Sequence, residues 1–292
     1  MPLDFLSANG VALSRYGVGI RDLDGLTHDQ LIALARQVEA LRFSCLWIPE
    51  VLGREAFTTA QFTLASTERI VIASGVARAL ERVPKSAAAA QRGLWSAYPG
   101  RYLLGLGVSP ASRERGLGPL PFMRRYLDEM EALDLPFPGG AARPPLIIGA
   151  YSEGLMRLAG RRSAGLLTVL VDPNHTARAR HLVGPDPFLA VSQFAVVETD
   201  WPTVLGLGRH ALRYYLKLPH QLRKFRALGF TDEDLEPPGS ERLVDAMVAW
   251  GDPGQVKARF QQHFDAGADH VAIGIVAPHD QVAEQLAQLT PT

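Results

Sequence analysis

Apolar residues along this chain fall into two kinds of run that alternate. Short runs such as YGVGI (16–20), SCLWIP (44–49), IVIASGV (70–76) and YLLGLG (102–107) are apolar at nearly every position. That pattern is expected of strands covered on both faces. LIIG (146–149) and the runs 165–171, 188–197 and 269–276 continue the series. Between them the apolar spacing changes to a helical one. After Thr27, residues Leu31, Leu34, Ala35, Val38 and Leu41 line one helix face, and Thr27 with Gln30 has the spacing of a capping box. Further helices are predicted over 56–66, 86–98, 119–133, 152–162 and 173–182. Another starts at Asp252-Pro253, an N-cap followed by proline at the first helical position.

Three segments break the rhythm. Residues 1–15 read as a loose lead-in, and the loop with Pro136, Pro138, Gly139 and Gly140 as a truncated connection. Residues 200–250 read as several helices with no clear strand, an insertion of the kind that covers a site. Eight strands alternating with helices predict an α/β fold, a (β/α)8 TIM barrel in which 1–292 form a single domain. No G-x-G-x-x-G turn follows a strand, which argues against a doubly wound dinucleotide fold. In a barrel any active site lies at the C-terminal strand ends.

Composition narrows the function classes. The chain has 292 residues, close to the ~250 typical of one barrel. Thirty basic residues balance thirty acidic ones, so no nucleic-acid partner is expected. No apolar run reaches the ~18 residues of a membrane span, and no basic-plus-apolar leader opens the chain. A cytoplasmic protein without membrane contact is expected. Cys45 is the single cysteine and lies in an apolar strand, so it reads as a buried thiol. The eight histidines have no metal-ligand spacing, and no metal is expected. No G-x-S-x-G elbow is present. Only Glu50 and Asp172 fall near strand tips as carboxylates, and no strand-tip lysine is evident, which gives glycosidase or aldolase chemistry little support.

What remains is a set of small residues at strand tips. Ser74-Gly75-Val76 ends one strand and Gly107 another, where the backbone can approach a ligand closely. Gly149-Ala150-Tyr151-Ser152 leads into a helix start whose free N–H groups suit an anion. Glu153 follows, and would repel a phosphate if it faced the same way. The bland alternative there is Ser152 as a helix cap with Glu153 favouring the helix dipole. Thr168, on the sixth strand, is a further candidate. Glu50 is placed to act as a general acid or base, or to form an ion pair with Arg54. Ser109, just past Gly107, is a candidate hydrogen-bond donor to cofactor or substrate.

At LWIPE, TERIVIASGV, PGRYLLGLGVS and DAGADHVAIGIV, and further at EVLGREAF, HTARARHLVGPD, ALGFTDEDL and SERLVDAMVAWGDPGQV, the chain resembles the luciferase-like monooxygenase superfamily, most of all its coenzyme F420-dependent branch. The resemblance implies an oxidoreductase, a homodimer, that moves a hydride between deazaflavin F420 and a small organic substrate. FMN is the alternative cofactor, with oxygen as co-reactant. A degenerate barrel binding no flavin is a third possibility. The resemblance also implies a cis peptide at Gly75–Val76, or next at Ser74–Gly75, pressed against the cofactor ring, and phosphate contacts around Gly149–Ser152. It further makes Glu50 the acid of an acid–histidine pair. Val51 stands where that histidine is expected, and Val108 where a second acid is, so the proton-handling set is incomplete.

Overall fold

Local rules set the first βα unit. In the computed structural model, which describes residues 10–20, 22–134 and 144–290, Tyr16–Gly19 forms β1 and His28–Ala40 forms α1. The capping box is present in both directions: Thr27 Oγ1 accepts from Gln30 N at 3.2 Å, and Gln30 Oε1 accepts from Thr27 N at 2.8 Å. Leu31, Leu34, Ala35 and Val38 face inward, as their spacing requires.

The chain continues as β2 (Cys45–Ile48), α2 (Ala56–Ala65), β3 (Val71–Ser74), β4 (Ala77–Arg78), α3 (Pro84–Ala97), β5 (Tyr102–Gly107) and α4 (Pro119–Glu131). Then follow β6 (Leu146–Gly149), α5 (Glu153–Arg162), β7 (Gly165–Val169), α6 (Pro173–Val183) and β8 (Phe188–Val197). The insertion holds α7 (Trp201–Leu212), α8 (Pro219–Ala227), α9 (Asp232–Leu235), α10 (Glu241–Met247) and β9 (Val248–Gly251). The chain ends with α11 (Pro253–Asp265), β10 (His270–Ile275) and α12 (Val282–Gln288). Eight strands pair in parallel in the order β1-β2-β3-β5-β6-β7-β8-β10, and β10 pairs back onto β1 (Tyr16 opposite Val271), closing a (β/α)8 barrel.

Four expectations are corrected. The strand predicted over 70–76 splits: β3 stops at Ser74, the Gly75–Val76 peptide is cis, and β4 resumes beside the upper half of β5. The strand predicted to Val171 ends at Val169, because Leu170 takes a left-handed backbone (φ 50°). The 200–250 insertion does contain a strand: β9 adds to the overlong β8, with Phe194 opposite Val248. Its four residues follow α10 without a turn signal, so the pattern merged them with that helix. Residues 10–15 are no loose lead-in either. Val11 and Leu13 are fully buried in the barrel interior with Cys45, Val71, Leu103 and Phe188. The Pro136–Gly140 loop lies outside the described residues.

The core has three parts. One fills the barrel, a larger one lies between barrel and helices, and a third, with Phe194, Leu212, Phe225, Val244 and Met247, packs the insertion against β8. At about 1.5–3 kcal/mol per fully buried large apolar side chain, that third core is enough to hold the insertion on the barrel. Among the described residues no helix is long and apolar enough to cross a membrane.

Candidate active site

The mouth of the barrel holds a cavity of about 70 Å³. Its walls are carbon-rich: Trp47, Val51, Leu167, Val169 and Phe194 from the strand ends, and Tyr215 from the insertion. Gly75 forms part of its rim. Trp47 lines the cavity with its indole N–H already used, donating to His270 Nε2 at 3.0 Å. His270 in turn donates from Nδ1 to the Ser14 carbonyl at 2.7 Å. Burial pushes the His270 pKa down to about 4, so the ring stays neutral and holds Trp47 in place across the physiological range.

Val76 explains the glycines on the adjoining strands β5 and β6. A Cβ on Gly107 would overlap Val76 Cγ2, and one on Gly149 would come within 2.5 Å of Val76 Cγ1. The side chain that follows the cis bond therefore occupies the space these two glycines leave. Overpacking of this kind costs about 1–3 kcal/mol. Gly107→Ala is expected to lower stability by about 2 kcal/mol, and Val76→Ala in the same chain to restore most of it; a neutral Gly107→Ala in chemical denaturation would refute this packing.

The predicted site residues separate into groups. Gly75, Val76, Gly107 and Gly149 come together at the mouth. Ser74 is buried and its hydroxyl is spent on the neighbouring strand, donating to Gly105 O at 3.0 Å and accepting from Gly105 N at 2.9 Å. Thr168 is buried on the face of β7 opposite to the cavity-lining Leu167 and Val169. Ser109 caps a short 3-10 turn, accepting from Ala111 N at 3.3 Å.

Glu50 is engaged in the wall. Its side chain is 8% exposed and forms a two-armed ion pair with Arg82, itself 8% exposed. It also accepts from Ala56 N at 3.1 Å and Arg78 N at 2.5 Å. The partner considered from sequence, Arg54, instead donates to the Leu23 and Leu26 carbonyls. Burial lowers the Arg82 pKa, but hydrogen bonds and charge from Glu50 and Glu55 outweigh it and hold the guanidinium above its ordinary value.

At the other end of the mouth, Ala150 and Tyr151 are half-buried and lead to the N-terminus of α5. Ser152 stands at the N-cap position, yet its side chain makes no capping bond. Glu153 is paired with Arg178, which neutralises its charge. Burial raises the Tyr151 pKa, and the positive charges of Arg223 and Arg113 act in the opposite direction. The arrangement is cationic, with unspent N–H groups, which suits an anion. Arg82, His270 and the insertion residues Tyr215, Arg223 and Lys224 were not legible as site or wall residues from sequence. Only His270 left a trace, as the lone polar residue inside an otherwise apolar strand.

Residues 8–135 match the family model of the luciferase-like monooxygenases. No match was found among curated protein sequences. Several solved structures share the fold. The FMN complex of the oxygenating constituent of 3,6-diketocamphane monooxygenase, a type II Baeyer-Villiger monooxygenase from the CAM plasmid of Pseudomonas putida, has a TM-score of 0.74 and 17% identity, covering 96% of this chain and 97% of that one. Apo-MsnO8 has a TM-score of 0.73 and 19% identity, over 95% and 97% of the two chains. An F420-dependent secondary alcohol dehydrogenase in complex with an F420-acetone adduct has a TM-score of 0.71 and 14% identity, over 96% and 100%.

Proposed function

We propose, from the match of residues 8–135 to the luciferase-like monooxygenases, that this chain is an oxidoreductase using coenzyme F420 on a small organic substrate. The observation that carries the proposal is the apolar barrel mouth, lined by Trp47, Gly75, Leu167 and Phe194, which opens beside a cationic helix start. Gly75 and Trp47 would border the ring. The α5 N-terminus with Ser152, Arg113 and Arg223 would hold the anionic end. When bound, the deazaflavin supplies hydride chemistry; the protein's part is to orient the ring and exclude water. Ligand pockets start at about 300 Å³, against about 70 Å³ here. Among the described residues Tyr215 is the lining side chain that the insertion supplies, and a three-ring group would enter by displacing it.

One observation favours a second reading, an FMN-dependent monooxygenase. Glu50 is tied to Arg82 and two backbone amides, and Val51 cannot carry a proton, so the wall offers no acid–histidine pair. Titration with each cofactor followed by visible absorbance decides between them. Saturable F420 binding without FMN binding is expected. FMN binding alone would select the second reading, and failure of both at high micromolar concentration would overturn the proposal.

A further inference from the structure

The polar groups of the mouth cavity are few, and one of them is unspent. Ser192 lies on β8 opposite Ala272 of β10 and lines the cavity. Its hydroxyl faces β1: a Cβ built on Gly19 would lie 3.7 Å from Ser192 Oγ, so glycine there leaves the hydroxyl open. Among the described residues Ser192 Oγ has no hydrogen-bond partner, and it is not sealed from the cavity in the way the orphaned Tyr102 and Tyr126 hydroxyls are sealed in the core. The Trp47 N–H, another donor among the lining residues, is committed to His270. No lining residue carries a charge.

The strand order adds position. Around the closed barrel, β8 stands four strands from β3 in either direction. Ser192 therefore faces Gly75 across the mouth. A group held by Ser192 sits opposite the bend at which the cofactor ring is placed.

We propose that Ser192 anchors the oxygen of the substrate, and that the substrate is a small, uncharged compound with one carbonyl or hydroxyl group. The chemistry selects that class. No lining residue offers a counter-ion to a carboxylate or an ammonium, and the Lys224 ammonium behind Val169 is spent on that residue's carbonyl, so the desolvation of a charged substrate is not compensated. The Ser192 hydroxyl, able to donate or accept, matches one substrate oxygen. This inference rests on the proposed oxidoreductase function for the meaning of "substrate", while the pocket's preference stands by itself.

Saturation-transfer NMR on the intact protein tests it, with 2-butanone as the neutral probe and propionate as its charged counterpart of equal heavy-atom count. Saturable 2-butanone binding is expected, weakened about tenfold in Ser192→Ala and largely kept in Ser192→Thr, with no propionate binding by the wild type. Equal 2-butanone binding by wild type and Ser192→Ala, or propionate binding as strong as that of 2-butanone, would overturn it. Thermal melting of both variants guards against misfolding as the cause of a loss. The cofactor titration above is run in parallel. If neither cofactor binds yet the Ser192 discrimination holds, the oxidoreductase function fails and the pocket assignment stands; if cofactor binds and the discrimination is absent, the reverse follows.

Discussion

Replacing Arg82 with methionine is expected to cost the protein about 3 kcal/mol, a fall in Tm of roughly 6 °C or more. The variant leaves the Glu50 carboxylate at 8% exposure without its guanidinium. Breaking a buried pair from one side costs about 3–5 kcal/mol because the surviving charge is neither solvated nor paired. The lower end applies here, since the Ala56 and Arg78 amides still donate to the carboxylate. Glu55, at the exposed edge of the same cluster, is the weaker partner of Arg82, at 3.0 Å. Glu50→Gln separates a structural from a catalytic carboxylate. A large loss of Tm, with turnover of the surviving folded fraction retained, marks the wall role. An unchanged Tm with lost turnover would return Glu50 to the reacting centre.

The second large effect is at Lys224. This side chain of α8 is buried, and its ammonium donates to the Val169 carbonyl at 2.9 Å, at the end of β7 and beside the cavity. Burial pushes its pKa down to about 7, and among the described residues no carboxylate compensates. An unfolded chain holds the same proton up to about pH 10.4. The unfolded state therefore binds more protons between these two values, and folding stability rises with pH across that window. Below about pH 7 the full penalty is present, about 5 kcal/mol. Lys224→Met removes it but orphans the Val169 carbonyl, at about 1–3 kcal/mol. The variant is expected to melt higher than the wild type at pH 6, and at or below it at pH 10.5. A Tm difference of the same sign and size at both pH values would sink this account. Burial lowers the pKa values of His175 and His220, and the charge of Lys224 adds to the effect, so both belong in the same pH series.

The strand run at 102–107 and the capping box at Thr27 show how much local pattern can settle. Both form as their spacing dictates, because backbone pairing and helix capping are satisfied within a few residues. The cis bond after Gly75 was placed by likeness to a family motif and lies where that likeness implied. Glu50 shows the opposite. Its strand-tip position was legible, but its partner lies 32 residues away on the far side of β3 and β4. No local rule tells a free carboxylate from one facing a distant arginine.

The alternation of apolar runs with helical faces thus determined by itself that the chain closes a parallel barrel, since strands buried on both faces and joined by helices leave few other ways to cover the sheet. Only the tertiary structure decided what lies at its mouth: Val76 in the space of two glycines, Glu50 bound into the wall, Ser192 open, and Tyr215 and Lys224 brought in by the insertion. Those assignments depend on which side chains meet across the barrel, and such meetings are set by register and closure rather than by neighbours along the chain.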